Sequence, residues 1–551
     1  MRTQYQQPFT RSGRAFRSNA TVFILTAIVA IALLLRYKGL YAGLPFLYDP
    51  DEPDFVARAG AILATRDFNP HWFGHPGSVT IYLLALLMAA IYAIGILTGR
   101  FAEPADFQLL YHTDPTLIYI AGRSLILAFA VGVILGTYFV ARHLYGKRQG
   151  LMAAAIVAFL PLHIVFSTKI RSDMMMSAFM LVVVYFSMRI ATRASSMPSI
   201  ITGASLALAT MSKWPAALAL YFPALALIAS GISASDRVRK SAIVAGSAVI
   251  TSFVVSPYVY LDFPTVLSSL SREARPEHLG ATGSGWWSNV WFYSSAVFNQ
   301  LGFFGLFLLA GGLYDVAKRR SQWRQGLVVF IVLFIAAISV LSLRWDRWLL
   351  PMLPLIAILA SQGIVVLTDY VNRLILLHSS MRRVLSASLL VCFVLTIGYS
   401  SILSALSPAP QETKTIAREW IMNNVQSGTK LLLENGAPHL PSHQYLYYIV
   451  DVDGRLVEMY GDRLYKAVFK GRGSIGMIRN FESIATTELA YVIFSGMEFR
   501  YLSAGGKHRS VIQMYEKIRD KGGLVYRVAA NGRDIVGNTI EVYKLNPAHP
   551  E

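Results

Sequence analysis

Long apolar runs recur along this chain up to about residue 404, and they decide what it can fold into. A helix needs about 20 apolar residues to cross a bilayer. Of the 551 residues, 54% are hydrophobic and only 15% are charged. The sequence therefore predicts a polytopic α-helical membrane protein. The runs lie near residues 21–36, 77–97, 117–141, 150–166, 174–190, 199–212, 214–230, 241–258, 296–316, 326–342, 349–367 and 384–404.

Lysine and arginine cluster in five short loops between these runs. Because basic loops stay on the cytoplasmic side, these loops and the N-terminal tail, residues 1–20, are expected inside. The net charge of +19 is thus explained by topology and by contact with anionic lipid headgroups, and nucleic-acid binding is not indicated. The loops contain Arg142, Lys147 and Arg148; Arg189 and Arg193; Arg237, Arg239 and Lys240; Lys318, Arg319, Arg320 and Arg324; and Arg373, Arg382 and Arg383.

The run 77–97 conflicts with this charge rule if it crosses the bilayer, since the basic loop at 142–148 would then face outward. We expect it to be a re-entrant or juxtamembrane helix lining a cavity. About eleven spans remain, with the N-terminus inside and the C-terminus outside. Cys392, the only cysteine, lies in an apolar run, so neither a disulfide framework nor a thiolate metal site is expected.

After about Pro408 the apolar runs stop and the pattern changes. Thr413–Val425 and Val511–Lys521 have helical spacing, and five short segments have strand patterns. We therefore divide the chain into a transmembrane catalytic domain, 21–405, and a small extracytoplasmic α/β domain, 406–551. The strand segments are Lys430–Glu434, Tyr445–Val452, Ala490–Phe494, Gly523–Val528 and Thr539–Tyr543.

Four acidic residues, Asp49, Asp51, Glu52 and Asp54, follow the first apolar run. Carboxylates beside hydrocarbon are costly unless they bind, pair or react. Asp51 is our candidate catalytic base, because low dielectric raises a carboxylate pKa toward the working pH. The alternative is a structural role, in which these residues cap a juxtamembrane helix over 52–65; the two are compatible.

Several cations are expected on the same face as this acidic loop. Each has a structural alternative: a turn at His75, an interfacial pair of Arg171 with Asp173, a polar hinge at Lys213, an interfacial belt near Arg344 and Arg347. Together they favour a site that stabilises the charge of a phosphate leaving group.

The loop from Glu273 to Trp287 supplies further candidate substrate contacts, Glu277, His278 and Trp286. Its glycine-rich tail lacks the Gly-Lys-Ser/Thr ending of a phosphate loop, and we expect a mobile lid. The chain has no His-Glu-x-x-His and no nucleophile elbow, so zinc proteases and serine hydrolases have no support.

Short motifs follow one another in a characteristic order. They are Asp51-Glu52, the His75-Pro76-Gly77 turn, Gly122-Arg123-Ser124, Ala141-Arg142-His143-Leu144-Tyr145-Gly146, Arg171-x-Asp173 and Arg347-Trp348-Leu349-Leu350-Pro351. The series resembles the membrane-embedded GT-C glycosyltransferases, in the branch of the protein O-mannosyltransferases and the lipid A aminoarabinose transferases. The resemblance covers roughly residues 20–405 and is strongest up to about residue 220.

The resemblance implies transfer of a sugar from a polyprenyl-phosphate carrier to an acceptor hydroxyl, with inversion, at the outer face of the cytoplasmic membrane. It makes Asp51 the base, Glu52 its partner and Asp173 a second essential acid. It also implies carrier-phosphate contacts for His75, Lys213 and Arg347, to which the cation pattern adds Arg171 and Arg344. Asp54 and Arg123 are candidate substrate contacts.

Two other functions stay open: a transporter or lipid flippase gated by the acidic loop, and a non-catalytic scaffold. The apolar runs are poor in mid-span polar residues, which disfavours transport. Partners are the lipid-linked donor, an acceptor protein, lipid or glycan, and the bilayer. No cofactor is required by the sequence, although a divalent metal could bind Asp51, Glu52, Asp54 and Asp173.

Overall fold

The structure, a computed structural model, describes most of the chain. Glu277 and His278, which the sequence predicted as substrate contacts, lie outside the described residues. The described residues are 11–45, 49, 51–190, 192, 195–228, 231–274, 281–376, 378–407, 411–434, 437–438, 440, 446–450, 456–459, 490–496, 498–503, 509–532 and 534–545.

Up to residue 406 the described chain is almost entirely helical, with short 3-10 segments at Trp214–Leu220 and Asp346–Leu349. The first helix begins at Arg11, ahead of its apolar run. The helices are α1 (Arg11–Tyr41), α2 (Glu52–Thr65), α3 (Ser78–Leu97), α4 (Pro104–Thr113), α5 (Thr116–Leu144), α6 (Lys147–Phe159), α7 (Pro161–Phe166), α8 (Asp173–Ile190), α9 (Met197–Ser212), α10 (Tyr221–Ile228), α11 (Ala234–Val255), α12 (Tyr258–Leu261), α13 (Phe263–Glu273), α14 (Trp286–Arg319), α15 (Gln322–Ser339), α16 (Leu353–Ile375) and α17 (Ser379–Leu406).

Nine helices in the described part of the chain are long and apolar enough to cross a membrane, and α3 is one of them. Two shorter apolar helices, Met197–Ser212 and Trp214–Ile228, accompany them. Eight of the nine long helices remain if α3 is set aside. The two shorter helices and the broken α6–α7 segment bring the number of crossing segments to eleven. The chain is a multi-pass membrane protein, as predicted.

Helix α3 packs along its length against elements of the first loop. Ile81 and Met88 share a buried cluster with α2, and Tyr92 near its C-terminal end contacts Phe107 of α4. The cluster also contains Ile118, at the start of α5. That α3 is a re-entrant or juxtamembrane helix stays a prediction, since its length and apolar composition also suit a span.

A break between α6 and α7 at Pro161 carries a buried arginine. Proline has no N–H and interrupts the helical hydrogen bonds. The next N–H, that of Leu162, donates to Gln300 Oε1 at 2.9 Å, so the carbonyl oxygen of Ala158 accepts instead from Arg36 Nη1 at 3.0 Å. Arg36 of α1 also donates to Ser167 Oγ at 3.0 Å and meets His163 Nδ1 at 2.8 Å. It is 1% exposed. Since a buried charge needs all of its donors used, Arg36 fixes α1 to the segment that precedes α8.

Helices α14 and α16 cross at very short distance. A methyl group on Gly363 would lie 1.7 Å from the carbonyl oxygen of Leu308, and one on Gly312 would lie 2.1 Å from that of Leu359. Glycine is therefore required at both positions. The close crossing holds α16 against α14, and Arg347 lies on the 3-10 turn that precedes α16.

The C-terminal part is a small α/β unit, as predicted. Its six-stranded sheet has the order β4-β3-β2-β5-β8-β6, in which β2 pairs in parallel with β3 and β5, and the other pairs are antiparallel. A separate parallel pair joins β1 to β7. The elements are β1 (Gln411–Glu412), α18 (Thr413–Asn424), β2 (Lys430–Leu433), β3 (Leu446–Val450), β4 (Leu456–Met459), β5 (Tyr491–Phe494), α19 (Glu498–Ser503), α20 (Arg509–Lys521), β6 (Gly522–Val528), β7 (Ile535–Val536) and β8 (Ile540–Leu545).

Candidate active site

Four segments meet at one end of the helical bundle: the loop before α2, the loop between α7 and α8, the residue after α9, and the 3-10 turn before α16. Their ion pairs join Asp49 and Asp51 to Arg171, Asp51 to Arg347, and Asp173 to Lys213. Sequence reasoning had selected all of these residues except Asp49 as reacting or phosphate-binding groups. The structure brings them together.

Asp49 is the anchor of the acidic loop. Its carboxylate accepts from Lys169 Nζ at 2.5 Å and from Arg171 Nη2 at 2.9 Å, and it also accepts the backbone N–H of Asp51 at 3.1 Å. Burial raises the pKa of Asp49, but the charges of Arg171 and Lys169 outweigh it, so the pKa lies below its usual value. Asp49 is therefore a stable anion that orients Arg171 and the backbone of Asp51.

Asp51 is the accessible carboxylate of the cluster. It stands at the N-terminal end of α2, and its side chain keeps 36% of its surface exposed, against 7% for Asp49 and 4% for Asp173. Its Oδ2 accepts from Arg171 Nη1 and lies 3.4 Å from Arg347 Nη2. Of these three aspartates, Asp51 is the one that a substrate can reach most readily.

Glu52, its neighbour, is fully buried. Its two oxygens accept from Arg123 Nε at 2.8 Å and Nη2 at 2.6 Å, and Oε1 also accepts the Ile170 N–H at 2.9 Å. Arg123 Nη1 donates to the carbonyl oxygens of Leu40 and Ala42. The pair thus joins α2, α5, the end of α1 and the loop before α8. These contacts position the acidic loop.

Asp173, the first residue of α8, is paired with Lys213. Lys213 Nζ donates to Asp173 Oδ1 at 2.5 Å, and both side chains are at most 10% exposed. Burial lowers the pKa of Lys213, while the charge of Asp173 opposes that shift. The charges of Arg347 and Arg171 also act on Lys213, so this pair belongs to the same electrostatic cluster as Asp51.

His75 lies beside this pair as a neutral side chain. Burial and the charge of Lys213 lower its pKa to about 3. Its ring meets Trp72 edge-on, with 4.7 Å between centroids, and its Nδ1 is buried with no hydrogen-bond partner among the described residues. A neutral imidazole with an unused nitrogen is suited to one hydrogen bond with a bound ligand.

Arg344 and Trp286 have their described contacts elsewhere. Arg344 Nη1 donates to Ser288 Oγ at 2.9 Å, and its guanidinium lies 5.0 Å from the Phe292 ring centroid. Trp286 Nε1 donates to the carbonyl oxygen of Ala336 at 3.1 Å. Both side chains therefore contact α14 or α15, and Arg347 provides the contact with Asp51. Asp54 is exposed on the first turn of α2.

The described part of the glycine-rich segment is held by backbone bonds. Gly283 N–H donates to Ser342 O at 2.8 Å, and Arg344 N–H donates to Ala281 O at 2.9 Å. The segment thus pairs with a distant stretch, 342–344, that carries no recognisable strand pattern. The mobile lid stays a prediction.

Sequence reasoning gave no chemical role to Asp49 and Lys169. Two alternating patterns carry the information that was missed: Asp49 and Asp51 in one segment, and Lys169 and Arg171 in the other. In each segment one side chain is buried and the other is about one-third exposed: Asp49 and Arg171 are the buried members.

No group of three or more metal-ligating side chains converges within the described residues. The donor set that the sequence suggested for a divalent metal does not fit one well, because Asp51, Glu52 and Asp173 each face an arginine or a lysine. These three carboxylates are therefore already paired with cationic side chains.

Comparison with known proteins agrees with this arrangement. Residues 120–261 match the family model of dolichyl-phosphate-mannose-protein mannosyltransferases. ArnT from Cupriavidus metallidurans in the apo state is similar over 97% of this chain and 100% of its own, with 15% identity and a TM-score of 0.56. No curated protein sequence is a significant match.

Two more solved structures have the same fold. ArnT from Cupriavidus metallidurans bound to undecaprenyl phosphate aligns over 98% of this chain and 100% of its own, with 14% identity and a TM-score of 0.54. The apo oligosaccharyltransferase of Archaeoglobus fulgidus aligns over 97% and 75%, with 13% identity and a TM-score of 0.51. The chain therefore has the GT-C fold of these structures, as the sequence predicted.

Proposed function

We propose that this protein transfers a sugar from a polyprenyl-phosphate carrier to an acceptor hydroxyl at the outer face of the cytoplasmic membrane. One observation carries the proposal: Asp51, the partly exposed carboxylate, stands between Arg171 and Arg347. A base and cations that can hold a leaving phosphate thus share one site, which inverting transfer from a phosphate carrier needs.

The charge balance of the cluster fits a phosphate ligand. Its cationic side chains outnumber its carboxylates, four to three; they are Lys169, Arg171, Lys213 and Arg347 against Asp49, Asp51 and Asp173. A sugar phosphodiester carries one negative charge, and the phosphate monoester that leaves gains about one more. Cations fixed in a partly buried site stabilise that added charge more strongly than water does.

The reaction is a single displacement. The acceptor oxygen attacks the anomeric carbon, its proton moves to the Asp51 carboxylate, and the bond from that carbon to the phosphate oxygen breaks with its electrons on the phosphate. Attack from the side opposite the phosphate inverts the anomeric carbon. Arg347 and Lys213 contact the phosphate, and the neutral His75 adds a hydrogen bond.

Donor binding also prepares the base. A carboxylate bound to two guanidinium groups is a weak base, because both charges favour its ionised form. The donor phosphate offers Arg347 a charge-assisted hydrogen bond of the same kind. Arg347 turns from Asp51 to the phosphate, and Asp51 then becomes the stronger base only when a donor is present.

The relatives support this chemistry. The matching family model describes mannosyl transfer from dolichyl phosphate, and ArnT from Cupriavidus metallidurans binds undecaprenyl phosphate. The outward orientation is supported by the basic loops: the loop with Arg189 and Arg193 joins α8 to α9 at the ends of these helices opposite to Asp173 and Lys213. A lipid-linked donor reaches such a site directly from the bilayer.

A transfer assay tests the proposal. Purified protein in vesicles is offered a panel of polyprenyl-phosphate sugars labelled in the sugar, with membrane extracts as acceptors, and the anomeric configuration of the product is read by NMR. We expect label in a covalent product of inverted configuration. Label that crosses the bilayer in unchanged donor would indicate a transporter and would overturn the proposal.

A further inference from the structure

A cavity of about 450 Å³ lies between the helical bundle and the C-terminal α/β unit. One wall consists of α1, the end of α17 and the stretch 164–169, and the opposite wall is Glu412, Lys414, Gly537 and Asn538. Asp49 and Lys169 line it as well. The cavity therefore adjoins the reaction centre through Asp49, whose carboxylate also holds the backbone N–H of Asp51.

The wall from the C-terminal unit is held firmly. Strand β1 pairs with β7, so that Glu412 lies beside Val536. The next residue, Gly537, has φ +110°, and a methyl group there would lie 2.5 Å from Thr413 Oγ1. Only glycine permits this close approach. Lys38 of α1 donates to the carbonyl oxygen of Ser404 at 3.1 Å, which fixes the opposite wall to the end of α17.

The lining carries an excess of positive charge. Five of its side chains are cationic and three are acidic: Arg36, Lys38, Arg123, Lys169 and Lys414 against Asp49, Glu52 and Glu412. Burial lowers the pKa of Lys414, against the opposing charges of Glu412 and Asp49. A ligand with a negative group would offset this excess, whereas a cationic ligand would add to it.

The two walls also differ in polarity. The membrane side offers Leu35, Ile164, Val165 and Ala405, and the opposite side offers charged and amide side chains. Val165 is 50% exposed on the bundle surface. A molecule with an apolar part and a polar headgroup matches both walls.

We propose that this cavity is the acceptor site, that the acceptor is an amphiphile with a negatively charged, hydroxyl-bearing headgroup, and that Lys414 determines its selection. This inference rests on the proposed glycosyl transfer. The acceptor hydroxyl reaches Asp51 past Asp49, and the donor phosphate takes the opposite side of Asp51, next to Arg347 and Lys213.

Binding to the full-length protein in phosphatidylcholine nanodiscs tests the site, with octyl glucoside 6-phosphate as the probe. We expect this probe to bind about tenfold more tightly than octyl glucoside, from one charge-assisted contact. Lys414→Ala should remove that difference and Lys414→Arg should keep it. Lys544→Ala, which changes an exposed lysine of β8, should leave binding and melting temperature as in the wild type.

Each alternative occupant gives a different result. If glucose 6-phosphate binds as tightly as octyl glucoside 6-phosphate, the cavity is a site for soluble anions, and the proposal of an amphiphilic acceptor is overturned. Weaker binding of undecaprenyl phosphate in Lys414→Ala would assign the cavity to the donor and overturn the acceptor role. Unchanged probe affinity in a folded Lys414→Ala would overturn the site itself.

Turnover separates this inference from the proposed function. If the wild type transfers no sugar from any donor, the proposed function fails whatever the probe does. If transfer occurs, Lys414→Ala should raise the KM for the acceptor about tenfold and leave the KM for the donor unchanged. If Lys414→Ala transfers sugar with an unchanged KM for the acceptor, the cavity is not the acceptor site, while the proposed glycosyl transfer stands.

Discussion

Glu52 and Arg123 face each other in a two-pronged ion pair, with 2.8 Å between Nε and Oε1 and 2.6 Å between Nη2 and Oε2. Their side chains are 0% and 3% exposed. The buried pair thus supports the loop that carries Asp51. Glu52, next to the proposed base, acts by holding that loop in place.

Removal of one member of this pair should destabilise the protein strongly. Arg123→Met leaves the Glu52 carboxylate buried without its cation, which costs about 3–5 kcal/mol. The double variant Glu52→Leu/Arg123→Met should recover part of that loss, because no unpaired charge remains. Thermal unfolding in detergent measures both. The exposed pair of Asp236 and Arg239 is the control, where Arg239→Met should cost at most about 1 kcal/mol; equal losses at both pairs would contradict the assignment.

Asp51→Asn should abolish transfer with little change in stability. The amide keeps the shape of the side chain but cannot accept a proton, and general-base catalysis contributes about 10²–10⁴-fold. The measurement is single-turnover transfer from a saturating donor, with the melting temperature recorded alongside. Asp236→Asn, an exposed carboxylate on α11, is the matched control. Near-normal turnover in Asp51→Asn would remove the proposed base.

Arg347 and Arg344 should differ in their effect on the donor. Arg347 lies 3.4 Å from Asp51 and Arg344 is bonded to Ser288. Arg347→Ala should raise the donor KM about 10- to 100-fold, since a hydrogen bond to a charged group contributes about 1.5–3 kcal/mol. Arg344→Ala should raise it less. Steady-state kinetics over a donor titration compares the two, and a larger effect at Arg344 would reverse the assignment.

His75 should make the protein sensitive to mild acid. Its folded pKa of about 3 lies below the ordinary value of 6.5. Between these values the unfolded chain binds the proton and the folded chain does not, so the stability contributed by neutral His75 is present above pH 6.5 and falls as the pH falls. His75→Gln should flatten the decline in melting temperature between pH 8 and 5. Parallel pH curves for the two proteins would contradict this.

Asp49 acts in a different pH window. Its folded pKa is lowered, so its stabilising contribution is present above the unfolded value of about 4 and is lost as the pH falls below it. A scan between pH 8 and 5 therefore avoids the Asp49 window, and the difference between the wild type and His75→Gln in that range gives the effect of His75.

The sequence was most informative where chemistry depends on local pattern. Long apolar runs predicted the helices, and short apolar runs rich in β-branched and aromatic residues predicted strands such as Tyr491–Phe494. The acidic loop and the cationic segments predicted which groups would share the site. Local pattern does not reveal which partner a side chain meets: Arg123 looked like a substrate contact, and its bond to Glu52, 71 positions away in sequence, appears only in three dimensions.

Sites that depend on distant pairing were hardest to predict. The cavity beside Asp49 needs Lys414 and Gly537 to come together through the β1–β7 pair. Two-residue strands such as these leave almost no periodic pattern. The same holds for the stretch around Gly283, whose composition suggested freedom of movement and whose partner is set by the fold.

Arg36 has a consequence for how the protein responds to its lipids. Its guanidinium ties α1 to the Pro161 break and to Ser167, a few residues before Arg171 and Asp173. Sliding of α1 along its axis would strip a buried charge of several hydrogen bonds at once. In a thinner or thicker bilayer, therefore, we expect the acyl chains to adapt around this end of the bundle, while the residues of the candidate active site keep their mutual heights.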